Sequence, residues 1–158
     1  EGVARGGKGG RQIGPIIDGT DYVFFGGDLN YRLDLSREEV ELSMLDDTDQ
    51  GEVVDPVPLL EFDQLLHARA ARDAFGDFEE GPIRFPPTFK FNKRTDAYDT
   101  SRKRRIPAWT DRILFKARRC ADNQLNPIKL KEYGCITHAR HSDHRPVFAR
   151  FEIPGDGA

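Results

Sequence analysis

Cysteine, methionine, tryptophan and long apolar runs are all scarce in this sequence. Its 158 residues include two Cys, one Met and one Trp, and the hydrophobic share is 37%. The two cysteines, Cys120 and Cys135, lack metal-ligand spacing, which argues against a zinc site or a disulfide framework and favours reduced thiols in an intracellular setting. No segment approaches the roughly 20 apolar residues of a membrane span, and no secretory leader is recognisable. We therefore expect one soluble globular domain, or part of one.

Phenylalanine and charged residues are abundant instead. Eleven Phe residues can fill a core, and 32% of the residues are charged. The net charge is only −3, but its signs are segregated along the chain. Twelve acidic residues lie between Asp28 and Asp63 against two basic ones, and eight basic residues lie between Arg102 and Arg119 against one acidic. The basic stretch predicts either a surface that attracts anions or a solvated charge run.

Hydrophobic periodicity predicts alternating strands and helices in the first half of the chain and mostly strands in the second. A capping box formed by Ser36 and Glu39 marks the start of the first helix. This alternation indicates α/β layers rather than a helix bundle. The expected elements are a strand over 21–25 closed by a turn at Gly26-Gly27, helices over 36–45 and 58–74, and strands over 106–115, 129–136, with an irregularity at Gly134, and 147–151.

Two adjacent prolines, Pro86-Pro87, interrupt the chain between the helices and the later strands. Proline restricts its own backbone and that of the residue before it, so a helix is barred here. The following residues should form a rigid extended arm. Phe89 and Phe91 would then share one face of this arm, and Lys90 would take the other.

Three polar motifs lie within or next to predicted strands. Asp28-Leu29-Asn30 follows the first strand, and side-chain alternation would direct its carboxylate and its amide to the same side. Asp111 lies within a strand, where a carboxylate needs a partner. Ser142-Asp143-His144 leads into the last strand. The first motif is also typical of an Asx turn or a helix cap, and the last of a solvated turn.

Four segments, in this order along the chain, resemble motifs of the inositol polyphosphate 5-phosphatases: 23–32, 86–91, 105–114 and 142–147. The resemblance implies the deoxyribonuclease-I-like phosphoesterase fold, an α/β (α+β) sandwich of two sheets, and Mg²⁺-dependent phosphate hydrolysis. The family's domain is considerably longer than this chain. Residues 21–153 are therefore expected to be its C-terminal half, preceded by a flexible Gly-rich loop over 1–20 and followed by a tail over 154–158.

The resemblance also implies a role for individual residues. Asp28 would activate or orient the attacking water, Asn30 would hold the scissile phosphate, and His144 would contact a phosphate oxygen. Asp111 would fix and polarise the ring of His144, and Asp143 would lie in the shell of the Mg²⁺ ion. The neighbouring phosphate of the inositol ring would be bound by three basic residues, Lys90, Lys103 and Arg105.

The expected substrate is a phosphoinositide or a soluble inositol phosphate, with no nucleic acid partner. The full-length protein would act in the cytoplasm and peripherally at a membrane surface.

Two alternative functions stay open. A nuclease of the same superfamily would keep the Asp-x-Asn and Ser-Asp-His motifs but would not need the basic residues. A phosphoinositide-binding module would keep the basic residues but would have lost catalysis.

Two departures from the family pattern matter. Phe25 stands where the family usually has Trp, which should affect packing more than chemistry. The N-terminal half of the family's domain, which carries a metal-ligating Glu and another active-site His, is absent from this sequence. The 158-residue chain alone is therefore expected to lack a complete metal site, to be inactive, and to leave a sheet face or edge unpaired.

Overall fold

The computed structural model describes residues 20–45, 57–117 and 128–153. Most of the predicted Gly-rich loop, the tail over 154–158 and Cys120 lie outside these ranges. No helix within them is long and apolar enough to cross a membrane. The elements are β1 (Tyr22–Asp28), α1 (Arg37–Leu45), α2 (Val57–Leu60), α3 (Gln64–Ala70), β2 (Glu79–Glu80), β3 (Asp111–Ala117), β4 (Lys129–Cys135) and β5 (Val147–Glu152).

Two antiparallel sheets organise these elements, one with the strand order β1-β3-β2 and the other formed by β4 and β5. β1 and β3 pair along their whole length, which brings Asp28 opposite Asp111 at one end of the sheet. Aromatic rings join the two sheets, because Phe151 packs against Phe24 and Phe115 with ring centroids 4.8 and 5.0 Å apart. The end of the β1–β3 pair is where the polar motifs meet.

The hydrophobic core lies beneath that end of the sheet and is centred on Trp109. Trp109 is fully buried, and its indole N–H donates to the carbonyl oxygen of Phe85 at 2.9 Å. Burial of so large an apolar side chain contributes on the order of 2–3 kcal/mol. The core cluster joins the helices to the segment before β3, and its other buried members are Leu33, Val40, Leu59, Ile83, Phe85 and Ala108.

A buried ionic network lies at the core side of β3. The guanidinium of Arg112 donates to Asp63 at 2.9 Å and to both carboxylate oxygens of Glu80 at 2.6 and 2.8 Å. Glu80 also accepts from the hydroxyl of Tyr133 at 3.0 Å and from Arg69 at 3.3 Å. Burial alone would lower the pKa of Arg112, but its hydrogen bonds and ion pairs with Glu80 and Asp63 raise it.

The capping box at the first helix is confirmed. The backbone N–H of Ser36 donates to the Glu39 carboxylate at 2.7 Å, and the N–H of Glu39 donates to Ser36 Oγ at 3.2 Å. The predicted helix over 58–74 is wrong in its continuity, because α2 and α3 are separate. Asp63 caps α3 by accepting from the N–H of Leu66 at 2.9 Å, and the same carboxylate pairs with Arg112.

Three strand predictions are also wrong in detail. The turn expected at Gly26-Gly27 is absent, because pairing with β3 continues through both glycines to the end of β1. The strand expected from Ile106 begins only at Asp111. The irregularity of β4 lies between Leu130 and Glu132 rather than at Gly134. Gly134 instead leaves room for the Phe148 ring, which would lie 3.1 Å from an added Cβ.

β1 forms one edge of the three-stranded sheet within the ranges that the structure describes. Its side chains Phe24 and Phe25 are 42% and 43% exposed. An edge strand with exposed aromatic residues is a surface that another chain segment can cover. The expectation of an unpaired sheet edge stays a prediction.

Candidate active site

The centre of the site is a carboxylate–imidazole pair. Nδ1 of His144 lies 2.7 Å from Oδ2 of Asp111, and both side chains keep about a quarter of their surface exposed. The same oxygen of Asp111 accepts from the hydroxyls of Thr110 at 3.1 Å and Thr88 at 3.5 Å. Because a carboxylate accepts hydrogen bonds, Nδ1 carries the proton and Nε2 is the ring nitrogen left for a ligand.

The extended arm after Pro86-Pro87 holds His144 in place. Phe89 and Ala108 exchange two backbone hydrogen bonds at 3.1 and 2.8 Å, and the N–H of Arg145 donates to the carbonyl of Thr88 at 2.9 Å. The ring of Phe89 packs against the imidazole of His144 with centroids 4.5 Å apart. The arm thus connects the segment before β3 with the segment before β5, and it brings the two halves of the imidazole–carboxylate pair together.

Asp28 and Asn30 lie at the end of β1 on a turn. The N–H of Asn30 donates to the carboxylate of Asp28 at 2.9 Å, and Asn30 has a φ of 59°. This left-handed conformation is one that asparagine tolerates. The expectation from strand alternation is therefore wrong beyond Asp28, because the chain forms an Asx turn here. Both side chains nevertheless remain exposed beside the end of β3.

Arg32 orients the amide of Asn30. Its Nη2 donates to Asn30 Oδ1, and its guanidinium stacks over the Phe89 ring at 4.4 Å. Arginine has no acceptor, so the amide oxygen has to face it and the amide NH₂ group is left to donate to a ligand. Burial lowers the pKa of Arg32, the Asp28 charge opposes this shift, and the Arg105 charge adds to it. Sequence reasoning missed this residue, although it closes the 23–32 motif.

A cationic cavity of about 640 Å³ opens beside Asn30. Among the residues that the structure describes, Lys103 and Arg105 have no ion-pair partner, whereas Arg104 pairs with two glutamates of α1. Unpaired cations in a concave surface attract and hold anions. The sequence predicted three of the lining residues, Asn30, Lys103 and Arg105, as phosphate ligands but missed Arg32 and Arg37. The lining consists of Asn30, Arg32, Arg37, Lys103, Arg104, Arg105 and Ile106.

Lys90 lies apart from the other two predicted phosphate ligands. Its ammonium nitrogen is 3.6 Å from Oδ2 of Asp143, and it does not line the cationic cavity. Burial alone would raise the pKa of Asp143, but its backbone hydrogen bond and the charges of His144, Lys90 and Lys93 lower it. Lys90 therefore lies beside Asp143 and outside the lining of the cavity, and its role as a phosphate ligand stays a prediction.

The predicted Mg²⁺ ligand Asp143 has a hard oxygen donor of the kind that this ion prefers. However, no group of three or more His, Cys, Asp or Glu side chains within residues 20–45, 57–117 and 128–153 could hold a metal ion. The carboxylates of Asp143 and Asp111 lie against Lys90 and His144 instead. The described residues do not by themselves fit a Mg²⁺ site.

The comparison with protein families gives the class of protein to which this fold and site belong. A sequence model of the endonuclease/exonuclease/phosphatase family 2 matches residues 5–150. The chain belongs to this family. The two-sheet α/β fold expected from the resemblance is thereby confirmed.

Curated relatives confirm the resemblance to the inositol polyphosphate 5-phosphatases. Synaptojanin of Caenorhabditis elegans is 40% identical over 141 residues, which cover 89% of this chain and 12% of that protein. Inositol-1,4,5-trisphosphate 5-phosphatase 1 of Schizosaccharomyces pombe is 41% identical over 139 residues, which cover 88% of this chain and 11% of that protein. The chain thus spans about a tenth of the length of these relatives.

Two solved structures show how the fold is used elsewhere. The inositol polyphosphate 5-phosphatase domain of SPsynaptojanin, in complex with inositol (1,4)-bisphosphate and a calcium ion, matches with a TM-score of 0.71 and 39% identity, over 84% of this chain and 34% of that chain. The Cimex nitrophorin ferrous NO complex matches with a TM-score of 0.67 and 32% identity, over 85% of this chain and 42% of that chain. The fold alone therefore does not decide the ligand.

Proposed function

We propose that this chain is part of the catalytic domain of an enzyme that removes the 5-phosphate from phosphoinositides or soluble inositol polyphosphates, such as PtdIns(4,5)P2. The observation that carries this proposal is the Asp111–His144 pair next to a cationic cavity that begins at Asn30. The relatives named as inositol 5-phosphatases and the neighbour bound to inositol (1,4)-bisphosphate support it.

In the proposed reaction, fixed donors stabilise the phosphate as negative charge develops on its oxygens. Nε2 of His144 contacts one phosphate oxygen, and Asp111 holds the ring and stabilises its cation. The amide NH₂ of Asn30, which Arg32 leaves available, donates to another oxygen. Asp28, exposed at the end of β1, orients the attacking water.

The cationic cavity is the proposed site of the neighbouring ring phosphate. Lys103 and Arg105 bind it, because a flexible ammonium and a planar guanidinium both suit phosphate oxygens. Lys90, whose ammonium nitrogen lies 3.6 Å from Asp143, is proposed as a third phosphate ligand. A nuclease of the same superfamily has no need of such a cavity.

Mg²⁺ is the proposed cofactor, and a bound divalent cation would offset charge on the phosphate. Asp143 would contribute one oxygen ligand, and parts of the domain beyond these 158 residues would contribute the others. The calcium ion in the synaptojanin domain supports a divalent cation in general. We further propose a cytoplasmic location for the protein, with action at membrane surfaces.

Phosphate release from PtdIns(4,5)P2 tests the proposal. The full-length protein is expected to release phosphate with Mg²⁺ and to stop when EDTA is added, and the isolated 158-residue chain is expected to release none. Plasmid and abasic DNA serve as competing substrates and are expected to stay intact. Absence of release by the full-length protein would overturn the proposed activity, and robust turnover by the isolated chain would overturn the claim that it is incomplete.

A second function, phosphoinositide binding without catalysis, is favoured for the isolated chain by one observation. The described residues contain the cationic cavity but no metal-binding group of side chains. The isolated chain is expected to bind vesicles that contain PtdIns(4,5)P2, and Lys103→Ala is expected to weaken this binding. Equal binding by the Lys103→Ala variant would contradict this function.

A further inference from the structure

The segment from Asp99 to Arg105, here called the basic loop, is closed by a buried carboxylate. Asp99 is 2% exposed, and its two carboxylate oxygens accept from the backbone N–H groups of Ser101 and Arg105, each at 2.9 Å. The hydrogen bond from Arg105 and the bonds from Ser101 outweigh burial and lower the pKa of Asp99 to about 2. Asp99 therefore acts on the backbone of the basic loop as an anion.

The same loop is also held by an arginine from the first turn of α1. Nη1 of Arg37 donates to the carbonyl oxygen of Asp99 at 3.3 Å and to that of Arg105. Nε of Arg37 donates to Glu41 at 2.7 Å, and the side chain is only 10% exposed. One guanidinium thus joins both ends of the basic loop to the helix.

The basic side chains of this loop face different surroundings. Arg104 is drawn onto α1 by Glu38 at 3.4 Å and Glu41 at 3.2 Å. Lys103 and Arg105 line the cationic cavity, and neither has an ion-pair partner within the part of the chain that the structure describes. The closed loop therefore presents two free cations to one cavity.

We infer that Arg37 and Asp99 are positioning residues that set substrate specificity: they hold the basic loop so that Lys103 and Arg105 face the same anion. This inference rests on the proposed function, in which that anion is the ring phosphate next to the scissile one. A loop already held in its binding shape loses less entropy when the ligand binds. Arg37 and Asp99 therefore favour substrates that carry the neighbouring phosphate over substrates that lack it.

Positioning and plain electrostatics predict opposite results for Asp99→Asn. This variant removes a negative charge near the cavity, so Coulomb attraction alone would strengthen anion binding. An amide can accept only through its oxygen, so the variant loses one of the two bonds that close the loop, and positioning predicts weaker binding. Arg37→Lys makes a similar distinction, because it keeps the charge but loses the planar guanidinium that binds Glu41 through Nε and the two carbonyls through Nη1.

The test compares kcat/KM of the full-length protein for PtdIns(4,5)P2 and for PtdIns5P, which lacks the neighbouring 4-phosphate. Asp99→Asn and Arg37→Lys are each expected to lower kcat/KM for PtdIns(4,5)P2 on the order of tenfold, chiefly through KM, as expected for loss of a hydrogen bond to a charged group. Activity on PtdIns5P should stay within about twofold. Arg150→Gln, an exposed arginine of β5, is the matched control and should change neither value.

Three outcomes would overturn the inference. They are tighter binding of PtdIns(4,5)P2 by Asp99→Asn, an equal loss on both substrates, and an unchanged preference in both variants. The variants Lys103→Ala and Arg105→Ala separate this failure from failure of the proposed function. If these two lose the preference while Arg37→Lys and Asp99→Asn keep it, only the positioning role is wrong. If Lys103→Ala and Arg105→Ala also keep it, the proposed ring-phosphate site is wrong.

Discussion

Two adjacent residues of β3, Asp111 and Arg112, lie in opposite environments. Arg112 is fully buried, and its partners Asp63 and Glu80 are buried with it. Asp111 is 22% exposed, and its partner His144 is 26% exposed with one ring nitrogen free. Side-chain alternation in a strand separates the two residues onto opposite faces. The buried network of Arg112, here called the closed network, stabilises the fold. The partly exposed Asp111–His144 pair, here called the open pair, leaves a ring nitrogen available to a ligand.

The largest effect is expected from breaking the open pair. His144→Ala and Asp111→Asn should each lower kcat of the full-length protein by about 10²–10⁴, because general acid–base groups and their orientation contribute on this scale. The free energy of unfolding should change little, since both side chains are partly exposed. Steady-state kinetics and urea unfolding of the same samples check this. A loss of stability with normal kcat would assign the pair to the fold instead.

The converse is expected for the closed network. Arg112→Met leaves Asp63 and Glu80 buried without their main cationic partner, which should lower the free energy of unfolding by about 3–5 kcal/mol. Urea unfolding measures this loss, with the exposed Arg150→Gln as control. A loss under about 1 kcal/mol would show that the network relaxes easily, and the contrast with Asp111 would then disappear.

Asp99 is an intermediate case, because it is a buried acid whose hydrogen bonds come from backbone N–H groups. Its folded pKa of about 2 lies below the ordinary value, so its contribution to stability is present above about pH 4 and is lost as the pH falls through 2. The stability difference between the wild type and Asp99→Asn should shrink by up to about 2 kcal/mol over this window. Urea unfolding at several pH values checks this. A difference that grows on acidification would contradict it.

The smallest effect is expected at an exposed ion pair. Lys116 lies 2.7 Å from Asp77, whose side chain is 63% exposed. Asp77→Ala should lower the free energy of unfolding by less than about 1 kcal/mol, because water screens such pairs. Thermal unfolding at low and high salt measures it. A loss comparable with that of Arg112→Met would mean that burial does not explain the difference between the two networks.

Local features of the fold could be predicted well. The capping box of Ser36 and Glu39 located the start of α1, and the two prolines predicted the extended arm that carries Phe89. The need of Asp111 for a partner was also evident, and the motif resemblance indicated His144. Each of these predictions depends on neighbouring residues or on a recognisable motif.

Other features could not be predicted, because they depend on residues that are distant in the chain. The continuous apolar spacing over 58–74 concealed the break at Asp63, whose carboxylate caps α3 and pairs with Arg112, 49 residues away. The reach of Arg37 to the carbonyl of Arg105 spans 68 residues. The placement of Lys90 opposite Phe89 and Phe91 stays a prediction, and the contact of Lys90 with Asp143 was not predicted.

The sequence by itself determined the kind of fold, the motifs of the site and the residue types that serve phosphate chemistry. These follow from periodicity, capping, proline geometry and motif order, which act over short range. Only the tertiary structure decided which charged side chains contact each other. Arg112 lies in the core, Arg37 binds both ends of the basic loop, and Lys90 lies beside Asp143. Charged side chains are long and interact with any partner that folding brings near, so their pairing depends on how the distant segments close together.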